Sequence, residues 1–235
     1  MNMNEIKGIF LVNKPAGITS HDVIDRLRRV TSERRIGHAG TLDPLASGLM
    51  LVAIGKEFTT QLSRYVGLSK EYEAELTLGR VSTTQDAEGK LTKVSDAKPS
   101  HGVIEEALKS FIGKQEQMPP AFSAKKIKGK KAYELARAGK EVELKPQRVE
   151  IFNIQIFNYD YPKLKIRAKV SSGTYIRSLA HDIGQKLGTG AYLSGLVRTQ
   201  IGSYKLEKAA VLGEIKSEQD IMDAGVDPVN NLSKR

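Results

Sequence analysis

The sequence predicts an α+β chain built around a central mixed, largely antiparallel sheet flanked by helices and loops. Three observations carry that expectation. Apolar residues alternate with polar ones over residues 71–78 and 164–170, the mark of strands with one buried face. They recur at helical spacing over residues 20–30, 100–111 and 176–187. The two kinds of segment are interspersed without the regular strand–helix alternation of a parallel sheet, and no long internal repeat is present.

The elements follow in order. Residues 6–12 read as a short apolar strand ending at Asn13-Lys14-Pro15. Ser20 is placed to cap a helix that turns Val23, Ile24, Leu27 and Val30 inward and Arg26, Arg28 and Arg29 outward. Residues 37–47, punctuated by glycine and proline, read as a loop. The continuous apolar run at 49–54 has the length of a buried strand. In the first alternating strand Tyr72, Ala74, Leu76 and Leu78 share one face, and residues 85–89 form a polar turn after it.

Ser100 can cap a helix with Val103, Ile104, Ala107, Leu108 and Phe111 inward, which Gly113 ends. Met118-Pro119-Pro120 breaks regular structure, and a short helix is expected at 132–138. Val149 and Ile151, then Ile154 and Ile156, give a strand with a phase slip. The second alternating strand carries Leu164, Ile166, Ala168 and Val170 and stops at Ser171-Ser172-Gly173. Thr174 is placed to cap a helix with the stripe Ile176, Leu179, Ala180, Ile183 and Leu187, stopped by Gly188. An extended segment runs through 196–204. The near-neutral remainder, 205–235, is too short for a core of its own.

Composition narrows the function classes. The chain has 235 residues, a net charge of +10 and no cysteine. Disulfides, thiolate nucleophiles and cysteine zinc sites are therefore excluded. No apolar run reaches the ~20 residues of a membrane span, and no secretory signal is visible, so cytoplasmic residence away from any membrane is expected. Neither nucleotide-cradling glycine pattern is present, and no pair among His21, His38, His101 and His181 has metal-binding spacing. A reaction without metal or cofactor is expected.

The charge points to a polyanion, nucleic acid first. Residues 125–148 hold nine Lys or Arg against three Glu, more than half of the net charge in about a tenth of the chain. Such a block suits phosphate contacts better than general solubility, although a solvated charged face has the same composition.

Two constellations could carry chemistry. Residues 37–48 hold three glycines and Asp43-Pro44; the proline keeps Asp43 out of the helical region, so the loop either presents a rigid carboxylate or makes an ordinary Asx turn. In Ser172-Gly173-Thr174-Tyr175-Ile176-Arg177 a strand hands over to a helix. Arginine in a first turn opposes the helix dipole, which calls for a local carboxylate or phosphate, unless Arg177 is simply a surface residue.

His38-Ala39-Gly40-Thr41-Leu42-Asp43-Pro44-Leu45-Ala46-Ser47-Gly48 closely resembles the catalytic motif of the TruB family of pseudouridine synthases, bacterial enzymes that isomerise uridine 55 in the T-loop of tRNA. Asn13-Lys14-Pro15-Ala16-Gly17 is similar to that family's N-terminal motif, and Lys70-Glu71-Tyr72 to its K-x-Y segment. Met118 to Ala124 and Gly129 to Tyr133 resemble its T-loop-gripping insertion, here about 117–147. Ser172 to Arg177 and Leu196-Val197-Arg198-Thr199 match its later motifs, in the family's order.

The resemblance implies a pseudouridine-synthase-like fold over 1–204, with the usual C-terminal RNA-binding domain absent or reduced to the 205–235 tail. It implies that Asp43 is the reacting carboxylate, Arg177 the arginine paired with it, and Tyr175 a candidate proton acceptor beside the sugar and C5. Tyr72 would stack on the target base, Leu196 would wall its pocket, His38 would occupy space beside the flipped nucleotides, and Lys14 would support the substrate site. Lys125, Lys126, Lys128, Lys130, Lys131 and Arg137 would grip the RNA. The partner implied is the tRNA T-arm, with no protein partner required and a monomeric state. The chemistry is consistent with such a set, since the isomerisation exchanges no electron and no net water. Attack by Asp43 and a glycal route begun at C2′ both stay open. An RNA-binding or tRNA-folding factor is the alternative function, and the intact Asp43 and Arg177 favour the enzyme. Pro44 to Gly48 favours a stand-alone enzyme over a guide-RNA-dependent relative.

Overall fold

The computed structural model describes residues 6–120, 126–127, 130–131 and 144–226. They form a mixed α+β fold with mostly antiparallel strand pairing, as expected. The chain divides into two compact units, Met1–Tyr72 with Leu196–Arg235, and Glu73–Gly195.

In the first unit, strand β1 (Gly8–Lys14) runs antiparallel to β3 (Ser47–Ile54), from Gly8↔Ile54 to Lys14↔Gly48. The other edge of β3 takes β2 (Ile36–His38), antiparallel, at Val52 to Ile54, and β12 (Ala191–Ile201), parallel, at Ser47 and Gly48. Leu49, Leu51 and Ala53 on one face and Met50, Val52 and Ile54 on the other are all buried, so both faces of β3 are covered and the run reads as continuous rather than alternating. β2 takes Gly37 and His38 out of the expected loop, because their backbone pairs with Ala53 and Val52.

Helix α1 (Ser20–Thr31) packs Val23, Ile24 and Leu27 inward, while Val30 is only half-buried and Thr31 takes the inward place at the helix end. Its cap is Thr19, not Ser20. The Thr19 hydroxyl accepts from the Asp22 N–H at 3.1 Å, and the Asp22 carboxylate accepts from the Thr19 N–H at 2.7 Å, a closed capping box. The tail folds onto this unit: β14 (Ala210–Val211) and β15 (Gly225–Val226) pair with β1, and Leu212, Ile215, Ile221 and Ala224 are buried.

In the second unit the strand order is β4 (Lys70–Leu78), β11 (Lys163–Val170), β10 (Gln147–Asp160), β7 (Gly113–Gln117). Both alternating strands behave as predicted: Ala74, Leu76 and Leu78, and Leu164, Ile166, Ala168 and Val170, are all buried. The phase slip in β10 is real, with register shifts between Ile151 and Asn153 and again between Ile156 and Asn158.

Helix α4 (His101–Lys109) is capped by Ser100 and buries Ile104, Ala107 and Leu108. Val103 points outward, one position off the stripe, and Phe111 lies in the turn after the helix. The helix Ile176–Lys186, here α5, buries Ile176, Leu179, Ala180 and Ile183. Its N-cap position is Tyr175 rather than Thr174, whose hydroxyl turns back to the Ser171 carbonyl at 2.9 Å. Gly184 lets α5 press onto the start of β12; a methyl group there would come 2.6 Å from the Ala191 Cβ.

Candidate active site

The first unit builds a carboxylate loop from its backbone. Asp43 opens a tight turn in which the Ala46 N–H donates to the Asp43 carbonyl at 3.0 Å, with Pro44 in the position where its fixed φ favours such a turn. Four further residues, Leu51, Gly17, Ser20 and Arg198, hold the loop. The Ala39 N–H donates to the Leu51 carbonyl at 2.9 Å, and the Gly17 N–H to the Pro44 carbonyl at 2.8 Å. Ser20 takes both backbone groups of Leu42, accepting at 2.9 Å and donating at 3.0 Å. Arg198, 1% exposed, donates Nη2 to the Gly40 carbonyl at 3.1 Å and Nε to the Leu49 carbonyl at 2.7 Å. Leu42 is buried beside Asp43, which is itself half-buried. The loop is therefore held by a set of contacts to its backbone.

Gly48 completes the arrangement. Its φ is +108°, and a side chain there would collide with the Arg198 backbone, 2.7 Å from its nitrogen. Only glycine allows β3 and β12 to meet where Arg198 enters the loop.

The cations beside this loop are set by burial. Lys14 is buried, and its ammonium donates to the Pro15 and Ile18 carbonyls at 2.9 and 2.6 Å, closing the turn that also touches Pro44. Burial lowers its pKa to about 8, with Asp43 pulling it up and Arg198 pushing it down. Lys70 donates to the Val66 and Leu68 carbonyls, and burial, then Arg198, lowers it to about 8 as well. His38 is pushed down by burial and by Arg198, which favours the neutral imidazole.

The second unit builds a charge pair from side chains. Arg177 stands in the first turn of α5 and is 6% exposed. Its Nη1 lies 3.3 Å from Oδ2 of Asp86, itself 4% exposed, and 3.5 Å from the Thr84 carbonyl. Asp86 is held in turn by the Thr84 hydroxyl and by the Glu88 N–H at 3.1 Å. Gln85, one residue earlier, sits at φ +65°, a left-handed conformation that glutamine seldom adopts. The turn predicted at 85–89 is thus a strained mount for a buried carboxylate, and it supplies the local partner that Arg177 required.

A second clamp fixes Tyr175. The buried Gln117 amide accepts from the Tyr175 N–H at 2.8 Å and donates to the Tyr175 carbonyl at 3.0 Å. The Gln147 amide donates to the Gly173 carbonyl at 2.6 Å, and the Ser178 hydroxyl donates to the Met118 carbonyl at 2.7 Å. Residues at both roots of the basic insertion therefore hold the segment that carries Tyr175 and Arg177.

Asp43, His38, Lys14, Tyr72 and Leu196 belong to the first unit, and Tyr175 and Arg177 to the second. Tyr72 is buried on the inward face of β4, and Leu196 is half-buried on β12. Lys126 and Lys130 to Lys131 contribute to a two-strand hairpin, Lys126↔Lys131 and Ile127↔Lys130. Lys125, Lys128, Arg137 and the helix expected at 132–138 lie outside the described residues. Among the described residues no cluster of acidic and histidine side chains is placed to hold a metal ion, and no helix is long and apolar enough to cross a membrane. Ser20, Asp86, Gln117 and Arg198 are not among the site residues expected from the sequence: Ser20 reads there as a helix cap and Asp86 as part of a polar turn, and only Arg198 carries a signal, its place beside Leu196 in a family-like motif.

Residues 28–176 match the family model for the N-terminal domain of TruB family pseudouridylate synthases. Residues 177–232 match the model for the C-terminal domain of tRNA pseudouridylate synthase B. A tRNA pseudouridine synthase B of Protochlamydia amoebophila is 45% identical over 90% of this chain and 80% of the relative. One of Opitutus terrae is 43% identical over 91% and 88%. Among solved structures, a chain of a Cbf5-Nop10-Gar1 complex superposes with a TM-score of 0.70 at 28% identity. That match covers 89% of this chain but only 53% of the other, so this chain spans about half its length.

Proposed function

The chain belongs to the TruB family of pseudouridylate synthases, and on that premise we propose that it converts uridine 55 in the T-loop of tRNA to pseudouridine with Asp43 as the reacting carboxylate. The observation that carries this reading is the Asp43 loop. A carboxylate stands on a turn held through backbone contacts on several sides, within the field of Lys14.

The reaction sets the tasks. The uracil must leave C1′, turn and reattach through C5, whose proton is lost. The base must first leave its stack, at a cost of a few kcal/mol, and be held by stacking and apolar contact. Tyr72 and Leu196 have the chemistry for that. Nucleophilic attack, or proton abstraction at C2′, needs an ionised carboxylate. A cation nearby favours that form, and Lys14 acts in this sense within the first unit. The pairing of Arg177 with Asp43 that the resemblance implies belongs to this proposal, with Asp86 as the residue that positions Arg177. Tyr175 is the proposed acceptor of the C5 proton, and His38 the neutral side chain beside the extruded nucleotide. The basic residues Lys125, Lys126, Lys128, Lys130, Lys131 and Arg137 supply phosphate contacts to the T-arm, a contribution that weakens with salt.

Mapping the modified position tests the reading. An unmodified tRNA transcript incubated with the protein should acquire one pseudouridine, detected by carbodiimide adducts and primer extension, at position 55. A transcript with cytidine at that position should acquire none. Modification at another uridine would overturn the assignment. Binding and refolding of tRNA without any pseudouridine would favour the RNA-folding alternative.

A further inference from the structure

Strand β10 contains a short internal echo, Ile151-Phe152-Asn153 and Ile156-Phe157-Asn158. Each copy coincides with one of the two register shifts against β11. A bulge sets two residues against one and re-aims side chains. Here it brings a phenylalanine and an asparagine to the surface twice. Phe152 is 45% exposed and Phe157 57%, while Ile151 and Ile154 point into the core. Two large aromatic rings at these levels of exposure lie five residues apart, roughly 16 Å along an extended strand.

What surrounds them is not apolar. Between and beside the rings β10 exposes Asn153, Gln155 and Asn158. Across the ladder these amides face Lys169, Arg167 and Lys165 of β11. The Arg167 guanidinium lies 5.2 Å from the Phe157 ring centroid and is tied to Glu73 at 2.6 Å. Lys165 and Lys163 share Glu75. Three cations of β11 therefore meet two carboxylates of β4; with Lys169 added and Asp160 opposite Lys163 counted, the excess is still positive. Rings flanked by amides and cations on an open sheet are the elements of a single-strand nucleic-acid platform: bases stack on the rings, amides meet base edges and cations follow the phosphates. A protein-docking patch would favour a contiguous apolar centre over amides.

We propose that the outer face of β10 and β11 binds a single-stranded stretch of RNA, with Phe152 and Phe157 as stacking platforms and Lys165 and Lys169 as phosphate contacts. This site belongs to the second unit and the Asp43 loop to the first, and the proposal does not depend on which uridine is converted.

Fluorescence polarisation with a labelled twelve-residue oligouridine tests the proposal on the full chain. The double variant Phe152→Ala/Phe157→Ala should bind about tenfold more weakly or worse. Phe157→Trp should bind at least as well as wild type, and the charge reversals Lys165→Glu/Lys169→Glu should weaken binding and reduce its salt slope by about 1.4 or more. Both phenylalanines are exposed, so melting curves should not move, and modification of a T-arm hairpin should persist. Wild-type affinity in the double variant would overturn the proposal. So would a wild-type dimer that the double variant splits into monomers without loss of oligouridine binding, which would make this face a contact between copies of the chain.

Discussion

The Asp43 loop and the Arg177 cluster each place one charge, by opposite means. Around Asp43 the fixing contacts fall on the backbone, through Ser20, Gly17, Leu51 and Arg198. Arg177 is fixed through its own guanidinium, against Asp86 and the Thr84 carbonyl, with both charged side chains almost wholly buried. The difference separates position from charge. At Asp43 the side chain can change while the loop stays in place. At Arg177 a buried carboxylate is part of the mount, and removing it takes a charged contact out of a low-dielectric site. The first arrangement suits a group that must react, the second one that must not move.

Substitutions can break this contrast. The largest stability effect is expected from Asp86→Ala, which removes the buried carboxylate 3.3 Å from the Arg177 guanidinium; a loss of about 3–5 kcal/mol in denaturant unfolding would match a buried ion pair cut on one side. Asp43→Ala should cost under about 1 kcal/mol by the same measurement. Equal losses for the two variants would dissolve the distinction.

Ser20→Ala comes next. It leaves the buried N–H and carbonyl of Leu42 without their partner, at a cost of about 1–3 kcal/mol. The loop beside Asp43 should loosen, seen as faster amide exchange at Leu42 and a lower kcat. A variant with wild-type exchange at Leu42 would show that the other contacts suffice.

A further effect is a pH dependence. Lys14 and Lys70 have folded pKa values of about 8, below the ordinary lysine value of 10.5. Between those values the unfolded chain binds more protons than the folded one, so their contribution makes stability rise with pH from about 8 to about 10.5. Lys14→Met should flatten part of that rise. Since Asp43 raises and Arg198 and burial lower the Lys14 value, Asp43→Ala should lower it further. A slope unchanged in both variants would contradict this account of the buried lysines.

Much of the fold was legible because it is periodic. The stripe of α5, the alternation of β4 and β11 and the slip in β10 all follow from side-chain spacing along one segment. The misreadings at Ser20 and Thr174 came from residues with good capping chemistry that are used elsewhere, Ser20 for Leu42 and Thr174 for Ser171. The positioning residues escaped for a different reason. Asp86 meets Arg177 across 91 positions and Gln117 meets Tyr175 across 58, distances over which local spacing carries no signal. Asp43 stood out only through its similarity to a family motif, since in isolation its loop fitted an ordinary turn better than a reacting carboxylate.

The central claim is that Asp43 reacts while its loop is held by other residues. Release of tritium from C5-labelled uridine in a T-arm hairpin, comparing wild type with Asp43→Asn, tests it most directly. The account predicts background release by the variant, together with unchanged hairpin binding and an unchanged unfolding midpoint. Turnover by Asp43→Asn comparable to wild type would contradict it.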